Sequence, residues 1–469
     1  MIVILPGITG SVLQKDGKDI WAVSGQAIWQ VLTSLGDSVQ QLKLVDDDPE
    51  AESLGDGITA TRIARDTHLI PGLVKIDGYT KTSRLITDNF DVISGNIYED
   101  ADDKAANFYH FPYDWRRDNR VNAKILKRLL DKRLKTWREY SGAQDAKVIL
   151  LAHSMGGLVS RYYLEVLEGW RDCKALFTFG TPYRGSLNAV NYLANGYKKL
   201  FLDLTEVMRS FTSVYQLLPI YEMVKVGDKY HRIAEVDNLP HILKQRAADA
   251  LAFHRKIEKA ANINIKNQDY RNSYTTIPIV GVQQPTLQSA VLLDGKLSAS
   301  EDLPEILQSR PDLSDGDGTV PRISAIPIEL SNSFDNNFIA ETHGSLQNQN
   351  QILDDLLNRL KLSQFDLGAV RASSSAISVS LDDLYLTSEP IKMRARVISN
   401  SPGFGKLKAT ITSVSYEGTF INLDFKRQEK EWVLAIDDLK PGLYRLQVAT
   451  ENSGEQFPTP VHDLFEVVS

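Results

Sequence analysis

The segment that most restricts the fold is Leu150-Leu151-Ala152-His153-Ser154-Met155-Gly156-Gly157. An apolar run over 147–151 leads into it, and an amphipathic stretch over 155–168 leads out. The serine therefore lies between a predicted buried strand and a predicted helix. This is the G-x-S-x-G pattern of a strained turn, with Ala152 in place of the first glycine. Small residues are needed on both flanks, because a branched side chain beside the serine would strike the neighbouring strand or helix. Alanine still meets that need. A strand, a sharp turn and a helix in this order imply a parallel sheet with helical crossovers. They lift the Ser154 hydroxyl to the carboxyl end of the sheet and leave the Met155 N–H at a helix N-terminus, where it can hold an oxyanion.

Other stretches repeat the alternation. Residues 2–5 are fully apolar and end in Pro6-Gly7, as a buried parallel strand running into a loop does. Residues 108–115 read as a strand with its exit loop. The 122–140 stretch places Ile125, Leu129, Leu130, Leu134 and Trp137 on one face of a helix. Strands follow at 176–179, 277–282 and 337–340, and a helix at 345–360. The expected fold class is an α/β-hydrolase fold with a mainly parallel sheet. Ile20, Trp21, Ile28, Trp29, Val31, Leu32 and Leu35 form a partly helical apolar stripe in the mixed region 12–106. Residues 186–275 interrupt the alternation as a long, largely helical cap or lid insertion.

From about residue 370 apolar residues alternate singly with polar ones, as in Met393-Arg394-Ala395-Arg396-Val397 and Tyr444-Arg445-Leu446-Gln447-Val448. Turns at Ser401-Pro402-Gly403 and Lys440-Pro441-Gly442 separate such runs, which predicts an immunoglobulin-like all-β sandwich. A chain of 469 residues exceeds one ordinary core. The expected division is a catalytic domain over 1–365 and a β-sandwich over 370–469, which packs on the first domain or takes a protein partner.

A serine hydroxyl needs a base, and the base needs an orienting acid. In this fold class the chain order is serine, acid, histidine. His343 lies in a loop between a predicted strand and the last predicted helix, and is the expected base. His153 is expected to pack within the turn. The acid lies in Ser314-Asp315-Gly316-Asp317-Gly318-Thr319-Val320-Pro321, with Asp317 preferred and Asp315 second. The same Asp-Gly turn could serve a calcium loop, but the closing glutamate and flanking helices of an EF-hand are not evident. A second oxyanion donor is expected from Leu5-Pro6-Gly7-Ile8-Thr9-Gly10-Ser11, at Ile8, with Thr9 next on the substrate side. Met208, Phe211, Tyr215, Leu217 and Leu218 either line an acyl channel or form the insertion's own core. No metal or organic cofactor is required.

The net charge of −7 excludes a typical nucleic-acid binder. One cysteine, Cys173, allows no intrachain disulfide and reads as a small buried hydrophobe. The first residues do not resemble a signal peptide, and no run approaches the about 18 apolar residues of a membrane span. A cytoplasmic protein is expected.

Taken together, Leu5 to Ser11, Phe111-Pro112-Tyr113-Asp114-Trp115-Arg116, Ala152 to Gly157, Phe179-Gly180-Thr181-Pro182-Tyr183-Arg184-Gly185-Ser186, Gly316 to Pro321 and the His343 segment resemble the lecithin:cholesterol acyltransferase family, which includes lysosomal phospholipase. The resemblance covers roughly residues 1–360. It implies esterase or O-acyltransferase chemistry on lipids, with Ser154 as nucleophile, Asp317 as acid, His343 as base and an oxyanion loop near Gly7 and Ile8. It places lid and lipid-docking elements in parts of 186–275 and 12–75. A lipid or other acyl ester is then the expected substrate, with transient contact at a membrane surface. A serine hydrolase on a non-lipid ester or amide and a non-catalytic scaffold are the competing readings.

Overall fold

The computed structural model describes all residues except 22–39, 65–67, 71–73, 100–104, 200–201, 332–337, 362–374, 399–403, 415–419, 430, 453, 455–456 and 469. Short apolar runs build its centre. The strands β1 (Ile2–Leu5), β2 (Ser94–Asn96), β3 (Phe108–His110), β4 (Val148–His153), β5 (Cys173–Phe179), β6 (Thr275–Gly281) and β7 (Phe338–Ile339) form one sheet in the order β7-β6-β5-β4-β1-β3-β2. Every pairing is parallel. Ile2 pairs with Ile149 and Leu5 with Ala152, so the serine turn leaves the sheet beside the Pro6-Gly7 loop.

Alternation along the strands separates two cores. Val3, Leu5, Leu150 and Leu176 pack on one side, under helices α2 (Asn119–Ser141) and α3 (Gly156–Arg161). Ile2, Ile4, Leu151, Phe177 and Ile277 pack on the other, under α1 (Thr80–Asn89) and α4 (Asn350–Lys361). Both faces are covered, which is why these strands read as continuous apolar runs. Asp118 caps α2 by accepting from Arg120 N–H, and Gly142 closes it in the left-handed conformation. This is an α/β-hydrolase fold.

The expected helix over 155–168 is interrupted: α3 passes into a π turn at Tyr162–Val166. Ile20 and Trp21 lie on a strand, Lys18–Trp21, paired with Ser11–Lys15 rather than on a helix. Ile28, Trp29, Val31, Leu32 and Leu35 lie outside the described residues. The stretch 186–275 contains Leu187–Asn195, Thr205–Ser210, Thr212–Tyr215 and Lys244–Asn264 as helices. It also holds a hairpin, Val224–Val226 with Lys229–His231, whose sheet is completed by Ser289–Leu293 and Lys296–Ser300, beyond residue 275. Among the described residues, no helix is long and apolar enough to cross a membrane.

Residues 376–468 form two facing sheets. One orders Ala376–Leu381, Ile391–Ile398, Glu431–Ile436 and Lys426–Gln428; the other orders Leu384–Leu386, Val461–Val468, Gly442–Thr450, Leu407–Ser413 and Phe420–Asp424. Ile377, Met393, Ala409, Leu446, Val461 and Phe465 fill the space between them. This β domain docks on the first domain through polar contacts. Lys75 bridges Asp383 and Asp463, Arg445 pairs with Asp77, and Gln284 bonds the backbone of Ile377 and Val379.

Candidate active site

Ser154 sits at the end of β4 with φ 52°, a left-handed conformation that is costly for a residue with a Cβ. The strain is held by bonds on both sides of the residue. Ser154 N–H donates to Phe179 O, and Thr181 Oγ1 donates to Ser154 O at 2.9 Å. Gly156 passes so close to the preceding loop that a Cβ there would lie 2.5 Å from Pro6 O. The strand, the turn and the Phe179–Ser186 stretch therefore shape one another.

His343 Nε2 lies 2.9 Å from Ser154 Oγ, and its Nδ1 lies 2.7 Å from Asp317 Oδ2. The buried carboxylate is fixed by Thr319 N–H and Val320 N–H, both donating to Oδ1. His343 N–H donates to Asp317 O at 2.8 Å, so the two loops are also tied through their backbones. An ionised carboxylate only accepts, which places the proton on Nδ1 and leaves Nε2 to accept from the serine hydroxyl. The structure brings Ser154, His343 and Asp317 into one hydrogen-bonded line. It does not bring Asp315 there. Burial pushes the Asp315 carboxyl up to about 6, and its Oδ1 has no hydrogen-bond partner among the described residues.

The loop after β1 comes within reach of the same serine. Gly7 and Ile8 line the pocket beside Ser154, and among the described residues neither the Ile8 nor the Met155 N–H donates to a backbone carbonyl. Side chains of the Phe111–Arg116 stretch brace this loop. Tyr113 OH donates to Pro6 O, Tyr113 N–H to Ser11 Oγ, and Trp115 Nε1 to Ser11 O.

Tyr79, not singled out from the sequence, and His153, expected to pack within the turn, connect these parts. Gly7 N–H donates to Tyr79 OH at 2.9 Å, and Tyr79 OH lies 3.0 Å from His153 Nδ1. His153 Nε2 lies 3.0 Å from His343 O. A carbonyl can only accept, so His153 carries its proton on Nε2 and Tyr79 donates to Nδ1. Burial, and then the neighbouring His343, lower the His153 pKa to about 3, so the ring stays neutral. His153 and Tyr79 thus link the loop after β1 to the His343 loop. Nothing in the sequence near Tyr79 signals this; only the fold brings it 72 positions back to Gly7.

The β domain holds the same loops from outside. The buried Glu341 carboxylate accepts from Thr342 N–H and His462 N–H through Oε1, and pairs with His462 Nδ1 through Oε2 at 2.9 Å. Thr342 Oγ1 donates to His462 O. Gln284, besides binding the Ile377–Val379 backbone, donates its N–H to Gly316 O, next to Asp317.

The pocket at Ser154 is mostly apolar, with Ile8, Ile76, Pro182, Ala189, Tyr192, Met208, Val214, Leu217 and Val320 on its walls. Of the residues expected to meet substrate, Met208 and Leu217 line it. Phe211, Tyr215 and Leu218 belong to the core beneath, where Phe211 stands edge-on to Trp115. Thr9 is buried behind the loop, its carbonyl accepting from Trp21 Nε1. Val214 is a wall residue that the sequence reading omits. Cys173 is buried in β5, and burial pushes its thiol up to about 12.

A family model described as lecithin:cholesterol acyltransferase matches residues 88–347. The chain belongs to the lecithin:cholesterol acyltransferase family. The stretch matched to the lecithin:cholesterol acyltransferase model contains Ser154, Asp317 and His343, and leaves out the loop after β1 and the β domain. Human "Lysosomal phospholipase A and acyltransferase" is 31% identical over 116 residues, 23% of this chain and 27% of that protein. "Phospholipase A(1) LCAT3" of Arabidopsis thaliana is 26% identical over 280 residues, 48% of this chain and 60% of that protein. The chain thus spans about a quarter of the length of the human relative it matches. Among solved structures, Bacillus licheniformis lipase BlEst2 in its propeptide form aligns over 96% of this chain and 72% of that one, with 13% identity and a TM-score of 0.31.

Proposed function

We propose that the protein is a lipid esterase or O-acyltransferase that works through an acyl-enzyme on Ser154. The observation that carries this reading is the hydrogen-bonded line from Asp317 through His343 to Ser154, ending at an apolar pocket. His343 takes the Ser154 proton as Oγ attacks the ester carbonyl. Asp317 orients the ring and stabilises the imidazolium that forms. The Ile8 and Met155 N–H groups receive the oxyanion. His343 then protonates the departing alcohol. Water or a second alcohol repeats the sequence in reverse and frees the acyl group. The apolar walls suit an acyl chain, and membership of the lecithin:cholesterol acyltransferase family supports phospholipase A-type cleavage.

The test compares wild type with Ser154→Ala on phosphatidylcholine vesicles containing a long-chain alcohol, with products read by mass spectrometry. Fatty acid and lysophospholipid from wild type alone are expected, with an alkyl ester where transfer competes with water. Equal product from both proteins would refute the mechanism. Turnover of short esters without any phospholipid cleavage would keep the mechanism and remove the lipid.

A further inference from the structure

A second cavity adjoins the apolar pocket and differs from it in chemistry. This cleft of about 290 Å³ lies between the two domains. It is walled by Asn188, Asn191, Gln284 and Thr319 from the first domain and by Ser380 and Asp383 from the β domain. The two cavities share Lys75, Asn188, Tyr192, Thr319 and His343, so they meet at the catalytic imidazole. We propose that this cleft binds the alcohol that accepts the acyl group in the second step, and that this acceptor is a polyhydroxy compound that is uncharged or cationic, not anionic. The proposal rests on the serine-esterase reading above and adds where the alcohol sits and what charge it carries.

Reaction geometry supports the position. In the second step the alcohol O–H gives its proton to His343 Nε2 while its oxygen bonds to the acyl carbon. The Ser154 Oγ–acyl bond then breaks, and Oγ recovers that proton from Nε2. The alcohol oxygen must therefore lie within hydrogen-bond reach of Nε2. The cleft shares His343 with the pocket that contains Ser154, so an alcohol held in the cleft can extend its hydroxyl to their junction at the imidazole, and the apolar pocket remains for the acyl chain. The lining supports the ligand class, since amide, hydroxyl and carboxylate groups recognise hydroxyls by donating and accepting. Charge decides against an anion. Among the described residues of the walls, the one lysine or arginine is Lys75, whose Nζ sits 2.6 Å from Asp383 Oδ1 and 2.8 Å from Asp463 Oδ1. One ammonium between two carboxylates leaves a net negative wall, and a phosphate would have to displace a carboxylate to reach it.

The experiment measures acyl transfer from p-nitrophenyl butyrate to competing acceptors in one mixture: glycerol, choline, 1-butanol and glycerol 3-phosphate. Wild type is expected to favour glycerol and choline over 1-butanol, and to use glycerol 3-phosphate least. Ser380 is exposed at the cleft, and Ser380→Trp should lower the glycerol-to-butanol product ratio at least tenfold. Asn191→Trp does the same from the facing wall and stands in if the first variant does not fold. Because each ratio is taken within one protein, a general loss of activity cancels. A wild type that prefers 1-butanol or glycerol 3-phosphate, or ratios unchanged in both variants, would overturn the proposal while leaving the esterase reading intact. Absence of any ester turnover by wild type would overturn both.

Discussion

Replacing Glu341 should damage stability and catalysis together, because one carboxylate joins the β domain to the residues beside His343. Glu341→Ala strands Thr342 N–H and His462 N–H, which it accepts at 2.9 and 2.8 Å. A buried donor left without a partner costs about 1–3 kcal/mol, so the pair amounts to roughly 2–6 kcal/mol. The His462 ring is 34% exposed and can be rehydrated, so it adds little to that sum. Freed of one anchor, the His343 loop should also lower kcat on the order of 10–100-fold, with a smaller effect on KM. Glu341→Gln keeps an acceptor for the two N–H groups and removes only the charge, so it should fall between wild type and Glu341→Ala.

The pH dependence has a definite sign. Burial lowers the His462 pKa, but the hydrogen bond and charge of Glu341 outweigh it and raise the net value above the usual histidine range. Asp77 adds to the rise and Lys81 opposes it. A raised folded pKa means the pair's contribution is complete below about pH 6.5 and is lost as pH rises through the folded value. The stability gap between wild type and Glu341→Gln should therefore be largest near pH 6 and shrink towards pH 9. Urea unfolding at both pH values, with kcat and KM on a short ester, reads all of this. Wild-type stability and kcat in Glu341→Ala at pH 6 would refute the reasoning.

Further outcomes follow from the same contacts. Tyr79→Phe removes the hydroxyl between Gly7 N–H and His153 Nδ1; a loss of about 1–3 kcal/mol in unfolding and a kcat lower on the order of 10-fold are expected. Asp317→Asn keeps the size of the side chain but no longer enforces the Nδ1–H tautomer, so steady-state kinetics should show kcat falling on the order of 10⁴-fold with the fold intact by circular dichroism. Phe177→Ala opens a cavity where a fully buried ring of β5 stood, and denaturant titration should show a loss of about 3–5 kcal/mol.

The sheet was legible because strands buried on both faces are largely apolar, as 2–5 is throughout and 176–179 is apart from Thr178. Within 376–468 the single alternation of Met393–Val397 and Tyr444–Val448 marked strands with one wet face. Weaker patterns hid the rest. Leu384–Leu386 and Lys426–Gln428 are too short to show a period, and the hairpin at Val224–His231 sits inside a helical context. In the cap, apolar residues run on all sides of short helices, so spacing could not separate Met208 and Leu217 on the pocket wall from Phe211, Tyr215 and Leu218 in the core. The acid loop was visible as a turn motif, yet the choice between Asp315 and Asp317 needed the fold to bring one of them to His343. The Glu341–His462 contact spans 121 positions and leaves no local trace. Long-range polar contacts of this kind are made by topology, and only the folded chain displays them.

The most direct test of Ser154 as the nucleophile is intact-protein mass spectrometry after brief exposure to a fluorophosphonate, followed by peptide mapping. Wild type should gain one adduct, on the peptide carrying Ser154, and His343→Ala should gain it at least 100-fold more slowly. An unmodified Ser154 in active protein, or an adduct that persists in Ser154→Ala, would contradict the assignment.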